Sequence, residues 1–379
     1  MKITDVIPIV LSYPLETEVR TSFGRMQSRT NLLVRIETDE GISGIGESWT
    51  NFPHWSFEER RATILKGLRP LLLDEDPRAV SFLWDKMHRG LMRSGAGLQW
   101  GAEGPLMQAI SGVDIALWDI LGKSLGVPVY RLLGGAGSEK IAAYASGLGP
   151  EGFEPYVEAS LQKGYSAFKL KVGFGRDIDL RNIRTIRELI GPERRLMIDA
   201  NQAWRSAAEA LDHLNAYREF GLALIEEPLP ADRLAELRNI RARRIAPVAG
   251  GENVYGREGF RRTLGAEALD VVQPDLTKTG GISEARIICQ MAWAWEIPYA
   301  PHMFGTAVGQ AASLHLLAST PNGLFMEVDA NPNPLMTRLL KKSTFEFQGG
   351  GFVVSGDGPG LGIELDPEVV REFEVRTFS

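Results

Sequence analysis

The chain has 379 residues, with 42 basic against 48 acidic side chains for a formal charge of -6, 44% hydrophobic and 24% charged residues, and a single cysteine. This composition excludes long disorder, collagen-like repeats and a disulfide framework; no apolar run reaches membrane length, and no Lys/Arg-rich block offers the electrostatic footprint of a nucleic-acid binder. A soluble, cytoplasmic protein with no nucleic-acid or membrane partner is expected, its 41 glycines serving as turns and stops between many short elements.

In chain order, Asn31–Thr38 and Ile42–Glu47 read as an antiparallel hairpin, joined by Asp39-Glu40-Gly41. Helices are predicted near 57–73 and 104–125. The second carries Leu106, Ile110, Val113, Leu117 and Leu121 on one stripe and stops between Gly122 and Gly126, before Pro128. Residues 1–135 would then form a small α+β domain, with Gly134-Gly135-Ala136-Gly137 as a linker.

Over residues 136–330 the rhythm changes. Eight short β-rich runs, Ile141–Ser146, Ala167–Val172, Arg195–Ala200, Ala223–Glu227, Ala246–Gly251, Asp270–Pro274, Tyr299–Met303 and Leu324–Val328, are separated by helix-like stretches. Strand alternating with helix predicts parallel strands, and eight units of this length suit a closed (β/α) barrel of the TIM type better than its rival, an open doubly wound sheet. The segment 331–379 has no further crossover helix and is expected to pack back on the first domain. Cys289, in an apolar stretch, reads as a buried small hydrophobe, and His213 and His315, inside helical segments, as structural.

Ionisable residues interrupt those strands at their C-terminal ends: Lys169 and Lys171, Asp199, Glu226, Glu252, Asp275, His302 and Glu327. From Lys171 the spacings are 28, 27, 26, 23, 27 and 25 residues, one strand-plus-helix unit per step. Taken singly, an Asp or Glu after a strand is more often a helix cap than a ligand. Seven strand ends in succession point to one barrel mouth, where active sites lie.

Three carboxylates on adjacent strands, Asp199, Glu226 and Glu252, would repel one another without a cation, and an all-oxygen donor set favours Mg²⁺, with Mn²⁺ as the alternative, over zinc or copper. Lys169 and Lys171 are two apart, so both point into the barrel. Two ammonium groups so placed disfavour each other's charge and approach the range of a usable base. Asp275 beside His302 would fix the imidazole tautomer and make a second base.

The residues Lys169-x-Lys171, Asp199-Ala200-Asn201, Glu226-Glu227-Pro228, Gly251-Glu252-Asn253, Asp275, His302 and Met326-Glu327-Val328-Asp329 resemble the enolase superfamily, and its mandelate racemase subgroup in particular, over nearly the whole chain. The resemblance implies an N-terminal capping domain on a modified barrel and a small-molecule carboxylate substrate. It also implies Mg²⁺ on Asp199, Glu226 and Glu252, opposed bases at Lys171 and the His302–Asp275 pair, and Lys169 tuning Lys171. A protonated Glu327 would hydrogen-bond the substrate carboxylate. Dehydration of an acid sugar to a 2-keto-3-deoxy acid is the expected reaction, with racemisation or epimerisation of an α-hydroxy acid and sugar-lactone cycloisomerisation as the alternatives.

Substrate contacts are expected from Asn201, from Arg20 and Arg25 in the loop 16–27, from His54 in the loop Trp49–Trp55, and from Thr306 after His302. Arg and Asn in a lid favour a polyhydroxylated or dicarboxylic acid over an aryl substrate. A homo-oligomer is expected.

Overall fold

The computed structural model describes residues 1–22, 24–93, 101–135 and 140–376. The linker expected at Gly134–Gly137, and with it the boundary at 135/136, falls partly outside the described residues, as does Phe23 in the loop 16–27.

Strands β1 (Ile3–Thr21), β2 (Gly24–Thr38) and β3 (Gly44–Ser48) form an antiparallel sheet in that order. The stretch expected as the loop 16–27 is instead the far end of the long β1–β2 hairpin, paired Val19↔Met26, Arg20↔Arg25 and Thr21↔Gly24 beyond an irregularity after Pro14. Behind the sheet lies the helix Glu103–Leu125, buried along most of its length on every side rather than on one stripe, with Asp114 and Asp119 wholly inside.

The barrel wall is built by β4 (Ile141–Leu148), β5 (Ala167–Lys171), β6 (Arg195–Asp199), β7 (Leu222–Glu226), β8 (Val248–Gly250), β9 (Val271–Val272) and β10 (Met326–Asp329). Neighbours from β4 to β9 pair in parallel, and β10 returns to pair with β4. Between β9 and β10 the run expected at Tyr299–Met303 shrinks to a bridge, Tyr299 linking Val272 to Gly323. Pro298 and Pro301 flank it and deny it a longer ladder. The tail strands β11 (Leu340–Lys342), β12 (Phe345–Gln348), β13 (Gly351–Val354) and β14 (Glu364–Leu365) follow. β13 extends the sheet at β4, and the N–H groups of Leu361 and Val375 donate to Asp119 and to the Val10 carbonyl of the first sheet.

Inside the barrel, Tyr144, Ala167, Met197, Leu224, Ala249, Val271, Ala300 and Phe325, one from each of the eight wall segments, form an apolar floor separate from the main core. Side chains alternate along a strand, so the next inward layer lies two residues further on. That layer is Ser146, Lys169, Asp199, Glu226, Gly251, Gln273, His302 and Glu327. The floor closes the barrel below, and the ionisable groups stand on it.

Asp114 joins the two halves: its carboxylate accepts from Ser283 N–H at 2.9 Å and Ser283 Oγ at 2.6 Å, in the first turn of the helix Gly281–Ala294. Burial pushes this carboxyl from 3.8 up to about 7. Between those two values the folded protein keeps a proton that the unfolded chain has lost. The stability tied to that proton is complete below the window and is lost as pH rises through it, at up to about 1.4 kcal/mol per pH unit. The advantage of the wild type over Asp114→Asn should therefore shrink between pH 4 and pH 8 in urea titrations, whereas a pH-independent difference would contradict this account of Asp114. His315 behaves in the opposite sense. Burial lowers it to about 4, and its ring stays neutral between the N–H of Tyr130 and the carbonyl of Leu361, a structural role.

Candidate active site

A cavity lies at the C-terminal ends of the barrel strands, under the cap. The barrel lines it with Ser146, Lys171, Asp199, Asn201, Glu252, His302, Phe304 and Glu327, and the cap with Val19, Thr21, Gly24, Arg25, Met26, Trp49 and Phe52. Lys169, Glu226 and Asp275 stand behind this surface, each buried and touching a lining residue or its neighbour.

Lys171 is held by Asp199 Oδ2 at 3.0 Å and Asn201 Oδ1 at 2.7 Å, its register partner on β6 being Asp199 itself. His302 donates from Nδ1–H to Asp275 Oδ2 at 2.7 Å and faces Glu252 Oε2 with Nε2 at 2.5 Å. Burial alone would lower the imidazole, but Glu252 and Asp275 beside it hold it well above its ordinary value. Trp49 of the cap meets the ring edge-on at 5.6 Å.

Two sequence expectations about charge need correction. Lys169 lies between Glu226 at 2.5 Å and Glu327 at 2.7 Å, and although burial opposes its charge these carboxylates hold it well above the usual lysine range. Its environment is acidic, so it does not become a weakened cation beside Lys171. Glu327 is correspondingly ionised. Burial would raise it, but the Lys169 ammonium and His302 push it down to about 2, and it accepts from Ser146 Oγ at 2.5 Å and Met303 N–H at 2.9 Å. A carboxylate with those donors orients Lys169 and the His302 segment.

Of the expected substrate contacts, Asn201 and Arg25 line the cavity, Arg25 with its side chain 65% exposed and Glu18 at 3.8 Å. Arg20 turns away to Glu151 at 3.3 Å, and His54 is exposed outside the lining. Thr306 is wholly buried as the N-cap of the helix Ala307–Leu317, its hydroxyl engaged with Glu47. The lid is therefore more apolar than its sequence suggested, because Asn51 also turns inward, onto the Phe304 carbonyl.

Sequence reasoning passed over Ser146, Gln273 and Lys278. The first two follow from the period of two, since Ser146 lies two beyond Tyr144 and Gln273 two before Asp275. Gln273 donates to Glu226 Oε2 at 2.7 Å. Lys278 is buried under Trp49, 4.9 Å from the ring, and bonds Asn253 Oδ1 at 3.1 Å; no strand register announces it.

Asp199 and Glu226 are register partners on β6 and β7, and Glu252 follows β8. Burial pushes Glu226 upward against the pull of Lys169, and the negative charges of Asp199, Glu327 and Glu252 add to the push, so these carboxylates lie within electrostatic reach of one another. Among the described residues no three such side chains are already grouped as a metal cage, each of the three being bonded to Lys169, Lys171 or His302. The donor set nevertheless fits a hard divalent cation, being all-oxygen, on successive strand ends and surplus in negative charge.

Fold and site together define a capped (β/α)-barrel enzyme. The chain matches the mandelate racemase / muconate lactonizing enzyme N-terminal domain over residues 5–134 and the enolase C-terminal domain-like family over 154–369. It is 35% identical to D-galactarolactone cycloisomerase of Agrobacterium fabrum across 99% of both chains, and 33% identical to arabinonate dehydratase of Saccharolobus solfataricus across 90% of both. A racemase from Streptomyces coelicolor A3(2), solved with bound magnesium, superposes with a TM-score of 0.88 at 28% identity, over 98% of this chain and all of the other. The chain belongs to the enolase superfamily, in its mandelate racemase subgroup, and is an enzyme of lyase or isomerase type. Among the described residues no helix is long and apolar enough to cross a membrane.

Proposed function

We propose that this enzyme dehydrates an acid sugar, an aldonate or aldarate, to a 2-keto-3-deoxy acid, with Mg²⁺ as cofactor and Mn²⁺ as an acceptable substitute. The observation that carries this reading is that Lys171 and His302, from non-adjacent wall segments, line one cavity. Mg²⁺ held by Asp199, Glu226 and Glu252 would supply fixed positive charge against the dianion that forms when a proton leaves the carbon next to a carboxylate.

The chain's own groups do the rest. Depending on the substrate's configuration, Lys171 or His302, in its neutral form, takes the α-proton. The C–H electron pair forms the α,β double bond as the β C–O bond breaks, and the opposite group, in its protonated form, delivers the proton with which the β-hydroxyl leaves as water. The enol so formed tautomerises to the 2-keto-3-deoxy acid. Asp275 keeps Nδ1 of His302 occupied, so Nε2 is the nitrogen that acts. Trp49, Phe52 and Phe304 keep bulk water from the reacting carbon.

A second reading, sugar-lactone cycloisomerisation, is favoured by the cycloisomerase relative that spans 99% of both chains. It shares the first step but expels a ring oxygen in place of water. Incubation with Mg²⁺ and a panel of aldonic acids, aldaric acids and their lactones separates the two by product mass. Loss of one water with a 2-keto-3-deoxy product supports the dehydratase. Conversion of lactones alone, without change of mass, supports the cycloisomerase and overturns the first reading.

A further inference from the structure

Glu47, near the end of β3 in the cap, is buried, yet nearly all of its hydrogen bonds reach into the barrel. Its carboxylate accepts from Thr306 N–H at 2.9 and 3.1 Å, from Thr306 Oγ at 2.7 Å and from Gly309 N–H at 2.8 Å; only Asn31 Nδ2, at 3.1 Å, comes from its own sheet. These barrel donors are the first turn of the helix Ala307–Leu317, whose N–H groups have no intrahelical acceptor. The fit leaves no spare room. A Cβ on Gly305 would lie 2.3 Å from Glu47 Oε1, and one on Gly309 2.8 Å from Oε2.

Thr306 is four residues beyond His302, and the stretch between them is held from both sides. Met303 N–H donates to Glu327 in the barrel, and the Phe304 carbonyl accepts from Asn51 of the cap. Lys171 has no such tie to Glu47, being held by Asp199 and Asn201.

We infer that Glu47 is a positioning residue, a cap carboxylate that holds the segment bearing His302 in the register where its imidazole faces the cavity. The inference rests on the reading of His302 as a base, so its test has one arm that does not need a substrate. In Glu47→Gln the new amide sets a donor against the Thr306 or Gly309 N–H, and the segment must shift.

The protein has five histidines, so ¹⁵N-histidine labelling resolves the ring signals, with His302→Asn identifying those of His302. Glu47→Gln should move the His302 signals and leave those of His54 and His213 in place. In D₂O, α-hydrogen exchange that depends on His302 should fall about 10- to 100-fold in kcat with little change in KM, while exchange that depends on Lys171 changes by less than about threefold. Thr306→Val removes one bond from the same contact and should move the same signals less, so it serves if Glu47→Gln fails to fold. Unmoved His302 signals, or equal loss of exchange on both sides, would overturn the inference. If the wild type exchanges no α-hydrogen with any acid sugar, the proposed function fails, and the histidine spectra still decide the role of Glu47.

Discussion

Lys171→Ala should abolish α-hydrogen exchange for acid sugars of one α-configuration, and His302→Asn should abolish it for the other, each by about 10³-fold or more, within the usual range for loss of a positioned acid or base. Two features of the site set this expectation. Lys171 is presented to the cavity by bonds to Asp199 and Asn201 from the adjoining strand end, and His302 by Asp275 from another. Neither pair can replace the other, because they stand on different wall segments. A dehydration that uses one group as base and the other as acid should lose turnover in both variants, whereas exchange should be lost in only one of them for a given substrate. The comparison of turnover with exchange therefore assigns the two roles. If neither substitution alters exchange, the assignment of Lys171 and His302 fails.

Glu252→Gln should remove both the activity and the response of the fold to divalent metal. In the wild type, Mg²⁺ bound only by the folded state would add about 2.7 kcal/mol of stability at a concentration one hundred times its dissociation constant, and melting should rise accordingly. Chelation should reverse that rise and abolish turnover together. Glu252 is held well below the usual carboxylate range, because His302 and Lys278 outweigh the effect of its burial. It therefore meets a cation already ionised. Replacing it with an amide removes one charged donor of three, and both the metal-induced rise in melting temperature and turnover should fall below detection. A variant that kept wild-type turnover would show that this carboxylate is not part of the cation's donor set.

The barrel and its reactive ends were legible because they obey local rules. Lys169, Asp199, Glu226, His302 and Glu327 all lie two residues beyond an apolar floor residue, and the strand period of two with the unit length of the repeat places them without knowledge of any distant contact. What failed to show in the sequence depends on docking. Arg20 stays out of the reactive cavity because Glu151, 131 positions away, lies opposite it, and Thr306 is engaged by Glu47 across 259 positions. Those partners carry no periodic signal. The charge of Lys169 was misjudged for a similar reason, since its sequence neighbour Lys171 was visible while Glu226 and Glu327 reach it from other wall segments. The strand expected at Tyr299–Met303 failed on a purely local point, since prolines on both sides of its one paired residue interrupt the ladder.

The measurement closest to the central claim is incorporation of solvent deuterium at the carbon next to the carboxylate. Purified enzyme with Mg²⁺ in D₂O is offered a panel of aldonic and aldaric acids and their lactones, and both recovered substrate and product are read by NMR. Deuterium at that carbon, lost on chelation and lost for each configuration with one of Lys171→Ala and His302→Asn, is the predicted result. Turnover of any of these acids with the original α-hydrogen fully retained in place would contradict it.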